Sequence, residues 1–139
     1  MRFIDYQYII MDTKYNEATR NRPKGDRLID APIMITDIPT YIKKLKDEKA
    51  WDKNDKNAIT LFKNEKMRVV LVAMHKKAIM HTEKPEHVFS LQVIKGRIRL
   101  SANGNLFEAE DDQIIALHDK MPYEIKALSK CIFLLTMVE

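Results

Sequence analysis

The sequence predicts an all-β domain, a sandwich or barrel preceded by an N-terminal arm and one short helix. Nine short runs rich in apolar, β-branched and aromatic residues crowd the span from Ala58 to Met137. Turn residues separate them at close intervals, the clearest pair being Asn103-Gly104. Ahead of them a single stretch, roughly Pro39 to Trp51, repeats with a helical period. Strands with so little helix to cover them bury their faces against one another, which produces a sandwich or a closed barrel.

A chain of 139 residues fits one domain, large enough to remove about two thirds of its unfolded surface from water. There is no internal repeat or low-complexity tract, and three glycines and five prolines are too few for a flexible linker. Residues 1–139 therefore read as one domain, with arm and helix over 1–56 and the β portion over 57–139. The single cysteine, Cys131, excludes an internal disulfide and a cysteine-based zinc site, and suits a reducing compartment. Tyr8 to Met11 is too short for the apolar region of a secretory signal. The longest apolar run, Val69 to Met74, falls far short of the roughly 20 residues that span a bilayer. The expectation is a cytoplasmic protein with no membrane partner. Twenty-four basic residues face 20 acidic ones, divided 12 to 10 on each side of the Lys56-Asn57 bond. Nucleic-acid binders concentrate basic residues in a stripe, so this dispersed charge predicts no nucleic-acid partner.

Taken in order, Phe3 to Met11 has strand-like content, and the polar stretch Asn16 to Asp30, with Pro23-Lys24-Gly25-Asp26, reads as an irregular arm or loop. Ile33-Met34-Ile35 is a short apolar run. In the helix that follows, Asp37 or Thr36 caps the start, Pro39 suits the first turn, and Ile38, Ile42 and Leu45 share one apolar face. Lys43, Lys44, Lys46 and Lys49, interrupted by Asp47 and Glu48, form its solvated side. The polar string from Trp51 to Asn57 reads as an exposed connector. The strands are Ala58–Phe62, Met67–Met74, Ala78–His81, Val88–Ile94, Ile98–Ala102, Leu106–Ala109, Gln113–Leu117, Tyr123–Ala127 and Ile132–Met137. A two-residue turn at Asn103-Gly104 sets Ala102 opposite Asn105, Leu100 opposite Phe107, Arg99 opposite Glu108 and Ile98 opposite Ala109.

The run Val88-Phe-Ser-Leu-Gln-Val-Ile-Lys-Gly-Arg-Ile-Arg-Leu100 resembles the first conserved segment of the cupin superfamily, in which a strand ends in a glycine turn, here Gly96. Gln113 to Leu117, Met121 to Ala127 and Phe133 to Met137 resemble the second segment and the closing strand. The resemblance covers Met67 to Val138, about half the chain, and implies a double-stranded β-helix, the jelly-roll-like cupin barrel. It also implies a metal held by two histidines and a glutamate of the first segment and a histidine of the second. That set is incomplete here. His81 lies close to the first histidine, position 83 is Glu83 where the second would stand, Phe89 takes the glutamate position seven residues before Gly96, and Tyr123 follows Pro122 where the last histidine is usual. Asp112 stands where the family has a glycine before Gln113.

Candidate site residues follow. His81, Gln92 and Tyr123 are the polar anchors of a pocket in the barrel, and Phe89 makes the usual metal position apolar. Gln92 shares a face with Val88, Ser90 and Ile94. If that face lines the barrel, Gln92 and Ser90 orient a ligand, and if it faces out, Gln92 is solvated. Cys131 reads as buried packing. The first expectation is a small-molecule-binding protein without a canonical metal site or other cofactor. A second is a metal-dependent enzyme with a rearranged site built from His81, His87 and a carboxylate such as Glu83 or Glu86. A third is a structural or interaction module, a homodimer in which Phe3 to Met11 adds to a partner's sheet.

Overall fold

A computed structural model describes residues 14–15, 27–82 and 84–139. Phe3 to Met11, the strand assigned to dimer formation, lies outside the described residues. Strands β1 (Lys14–Tyr15) and β2 (Leu28–Asp30) pair antiparallel, so the end of the segment read as an irregular arm is a strand.

Helix α1 (Ile38–Asp47) starts where Asp37 accepts hydrogen bonds from the backbone N–H of Thr40, at 3.1 Å, and from its hydroxyl. The predicted helix is two helices. Glu48 takes an extended conformation, and α2 (Lys49–Lys53) follows. The break has a purpose in the packing, because it turns Trp51 into the core. The Trp51 ring stacks on His75 at 3.6 Å, and His75 Nε2 lies 2.8 Å from the Trp51 carbonyl. Asn57, assigned to an exposed connector, is buried as well. Its amide donates to the Leu45 carbonyl and to Glu48, each at 3.0 Å, tying the helical break to the first long strand.

Among the described residues nine strands make the sandwich: β3 (Lys56–Lys63), β4 (Met67–Met74), β5 (Ile79–Thr82), β6 (Val88–Lys95), β7 (Arg97–Ala102), β8 (Asn105–Glu110), β9 (Ile114–Ala116), β10 (Tyr123–Ala127) and β11 (Cys131–Val138). A five-stranded sheet has the order β3-β4-β11-β6-β9, and a four-stranded sheet the order β5-β10-β7-β8. Between them lies one core. Val72, Leu91, Val93 and Phe133 from the first sheet meet Ile98, Leu100, Ile125 and Ala127 from the second, all fully buried. A second core lies on the outer face of the five-stranded sheet, where Leu45 and Trp51 cover Ile59, Leu61, Leu71 and Ala73, with Ile38 and Ile42 packed alongside. This explains the unbroken apolar run from Val69 to Met74, since β4 buries both faces.

The hairpin register is the one the turn predicts, Ala102 opposite Asn105 and Ile98 opposite Ala109, with positive φ at Asn103 (52°) and Gly104 (76°). Glu108 pairs with Arg97 at 2.8 Å, diagonal to the Arg99 directly opposite it. Gly96 has φ 98°, and a Cβ there would lie 2.4 Å from the Lys130 carbonyl oxygen. Asp112, standing in for a glycine, takes positive φ (67°) without breaking the turn. Among the described residues no helix is long and apolar enough to cross a membrane.

Candidate functional site

Strand alternation and register arrange the sandwich interior in rows. One of them closes the end away from Gly96. In the five-stranded sheet, Arg68 pairs with Met137, and Met137 with Phe89. Across from them, Thr82 pairs with Tyr123, and Tyr123 with Ala102. Arg68 is two residues before Val70 and four before Val72, both of which pack in the inter-sheet core, so it points inward at the mouth. The row beneath, with Leu91, Leu100, Ile125 and Leu135, is closed to solvent. An opening into the interior therefore exists at the mouth row and ends there.

The mouth cleft has a volume of about 240 Å³. Phe89 and Tyr123 form its inner wall in an edge-to-face contact, ring centroids 4.7 Å apart and planes at 62°. Arg68 and Thr82 flank them, and the Lys84-Pro85-Glu86-His87 segment forms the rim. Burial pushes the Tyr123 phenol above its ordinary range, so it keeps its proton as a hydrogen-bond donor at neutral pH. The two residues that replace usual metal ligands are thus brought together.

His81 and Gln92 are not part of this arrangement. His81 lies on the outer face of the four-stranded sheet, exposed and opposite Glu124, and Thr82 takes the inward position beside it. It borders a different surface groove, which Thr82, Ser101, Tyr123 and Glu124 also line. Gln92 is exposed on the outer face of β6, between Leu134 and Ile114, with Ser90 on the same face. The alternative in which Gln92 is solvated is the one observed. His81 and His87 line different clefts, and Glu83 lies outside the described residues. Cys131 is buried, and desolvation pushes its thiol up to about 11, which suits packing and opposes nucleophilic work.

Arg68 and Thr82 line this cleft without being legible as such in the sequence. Arg68 precedes a run buried on both faces, where alternation carries no sign of which side is inward. Thr82 was hidden by a one-residue slip, since the histidine next to it attracted the assignment.

The mouth does not fit a divalent metal of the kind the fold commonly holds. Its inward positions carry a phenyl ring, a protonated phenol, a hydroxyl and a guanidinium, and the last repels a cation. Among the described residues no three His, Cys, Asp or Glu side chains converge. A larger cleft of about 570 Å³ lies on the helix side, between Met34, Ile38, Leu61 and Met67, and Asp30 is its one charged lining residue.

No protein-family model matches the chain, and no curated protein matches it in sequence. Solved structures do. The cupin domain of Cnp3 from Schizosaccharomyces pombe is similar over 91% of this chain and 87% of its own, at 18% identity and a TM-score of 0.61. A Cupin_2 domain of an XRE family transcriptional regulator from Enterobacter cloacae is similar over 62% of this chain and 98% of its own, at 15% identity and a TM-score of 0.57. A salicylate 1,2-dioxygenase variant from Pseudoaminobacter salicylatoxidans reaches a TM-score of 0.64 at 12% identity, over 74% of this chain and 34% of that enzyme. With the rows, register and two-sheet order described above, these likenesses show that the chain has the cupin fold.

Proposed function

We propose that this protein is a non-catalytic cupin that binds a small organic molecule at the mouth of its barrel, over the Phe89–Tyr123 pair. The observation that carries the reading is the composition of the mouth row. An aromatic wall with a phenol donor occupies positions where the cupin resemblance implies metal ligands, and polar groups surround it. The similar structures include a domain of a transcriptional regulator and an enzyme, so the fold does not choose between binding and catalysis. The binding reading is supported by the donor and the apolar surface of the mouth, and among the described residues no three His, Cys, Asp or Glu side chains converge.

Two measurements test it. Elemental analysis of the purified protein should find no stoichiometric transition metal, and a fragment screen by amide chemical shifts should move Thr82, Phe89 and Tyr123. Stoichiometric iron, zinc, nickel or manganese sinks the reading, as do hits confined to the helix-side cleft.

A second reading, self-association, has its own observation. Leu106 (66% exposed), Phe107 (51%) and Ile114 (63%) lie on β8 and β9, one edge strand of each sheet. If these strands meet a second copy, light scattering should give a dimer mass, and Leu106→Lys with Phe107→Lys should return a monomer. A monomer for the unaltered chain removes this reading.

A further inference from the structure

We infer that the ligand of the mouth cleft is an organic anion, a carboxylate joined to an apolar or aromatic body, with Arg68 as its anchor; this rests on the small-molecule reading above. Arg68 is half-buried and faces inward beside Met137, whose other neighbour is Phe89. Its guanidinium is charged at every physiological pH and presents donors in a fork that matches a carboxylate. Yet no hydrogen bond or ion pair engages it among the described residues. Arg97 is a useful contrast, since its guanidinium is paired with Glu108 at 2.8 Å.

The surroundings reinforce the charge. Lys63 stands opposite Arg68 across the β3–β4 ladder, and Lys84 lines the cleft. Glu86 is the one acidic residue among the described lining residues, and it is exposed on the rim. The inner wall is apolar. An inward arginine next to Phe89 and Met137 is less hydrated than one on an open surface, which strengthens a charge-assisted hydrogen bond there. The Tyr123 hydroxyl has no partner among the described residues and adds a second donor to the same space. A carboxylate on Arg68 would lay its apolar body against the Phe89 and Tyr123 rings. A neutral molecule of the same shape keeps the stacking and loses the charge-assisted bonds.

The test pairs anions with their neutral isosteres. Benzoate, benzamide, hexanoate and hexanamide are titrated into the intact protein, with the amides of Thr82, Phe89 and Tyr123 as reporters. Each acid should bind at least about tenfold more tightly than its amide, and added salt should narrow the gap. Arg68→Gln should abolish the preference, the acid binding no more tightly than its amide. Arg68→Lys, which keeps charge and loses the fork, should fall between. Equal binding of acid and amide overturns the anion assignment and leaves the small-molecule reading standing. An acid preference that survives in a folded Arg68→Gln overturns Arg68 as the anchor. If none of the four compounds moves the cleft reporters, the small-molecule reading falls along with the inference.

Discussion

Two glycines with positive φ separate backbone strain from steric exclusion. Around Gly104 nothing lies within 4 Å of an added Cβ, whereas at Gly96 that atom meets the Lys130 carbonyl and the Cys131 backbone and Cβ. Gly104→Ala should therefore cost about 1–2 kcal/mol, the left-handed penalty alone. Gly96→Ala adds a clash with backbone that cannot move aside, and should cost roughly 3 kcal/mol or more. Thermal melts of both variants check this, and equal costs would contradict the close approach of the Gly96 turn to the start of β11. Cys131 gives a pH prediction at the same scale. Its thiol has a folded value of about 11 against an ordinary 9.0, because burial disfavours the thiolate. A group raised on folding contributes stability that is fully present below its unfolded value and lost as pH rises through the folded one. Stability should thus fall between about pH 9 and pH 11. Tyr123, raised in the same direction, adds to this fall. Cys131→Val should remove the cysteine's share of the slope in pH-dependent denaturant titrations, and an unchanged slope would show that the thiol is not desolvated.

At the scale of elements, the helix is where local sequence and tertiary packing divided the work. Asp37, Pro39 and the apolar spacing are readable signals, and α1 begins at Ile38, one residue before the Pro39 start they suggest. The break at Glu48 has no local signal, since neither proline nor glycine stands there. It is decided by the burial of Trp51 against His75 and by the Asn57 amide, which draws the helical break toward β3. Leu45→Ala should cost about 2–5 kcal/mol, because Leu45 is fully buried in the outer core, and Lys46→Ala should cost little. Asn57→Ala should cost about 1–3 kcal/mol, as it leaves the Leu45 carbonyl without its donor in a buried place. Chemical denaturation measures all three, and small equal effects at Leu45 and Lys46 would mean that the helix is not docked on the sheet.

At the scale of the whole molecule, a metal site is a matter of which side chains the two sheets bring to the mouth. Phe89 and Tyr123 are in contact there, and Thr82 is the inward cross-strand neighbour of Tyr123. Phe89→Glu with Tyr123→His supplies two converging donors. His81 cannot serve as the third, since it is on the outer face. Adding Thr82→His should complete a three-donor set and produce Zn²⁺ binding that the double variant lacks, with Arg68→Gln strengthening it by removing the facing positive charge. Calorimetric titration decides. Equally tight binding by the double variant, abolished by His81→Ala, would show that His81 reaches the mouth after all.

The sequence by itself determined the class of fold, the positions of nearly all the strands after the helix, the hairpin register and the identity of Phe89 and Tyr123 at positions where the cupin resemblance implies metal ligands. These are local properties: alternation, turn chemistry and residue identity at set distances from Gly96. Only the tertiary structure decided which face of each strand is inside. Where both faces of a strand are buried, as in β4, or a short strand lies at an edge, as in β5, a period of two repeats without saying which phase points to the core. That ambiguity of phase hides the outward position of His81, leaves Gln92 open between inside and outside, and conceals the inward positions of Arg68 and Thr82. The same physics explains Trp51 and Asn57, which belong to a polar string by sequence and to the outer core because α1 and α2 fold back over the five-stranded sheet.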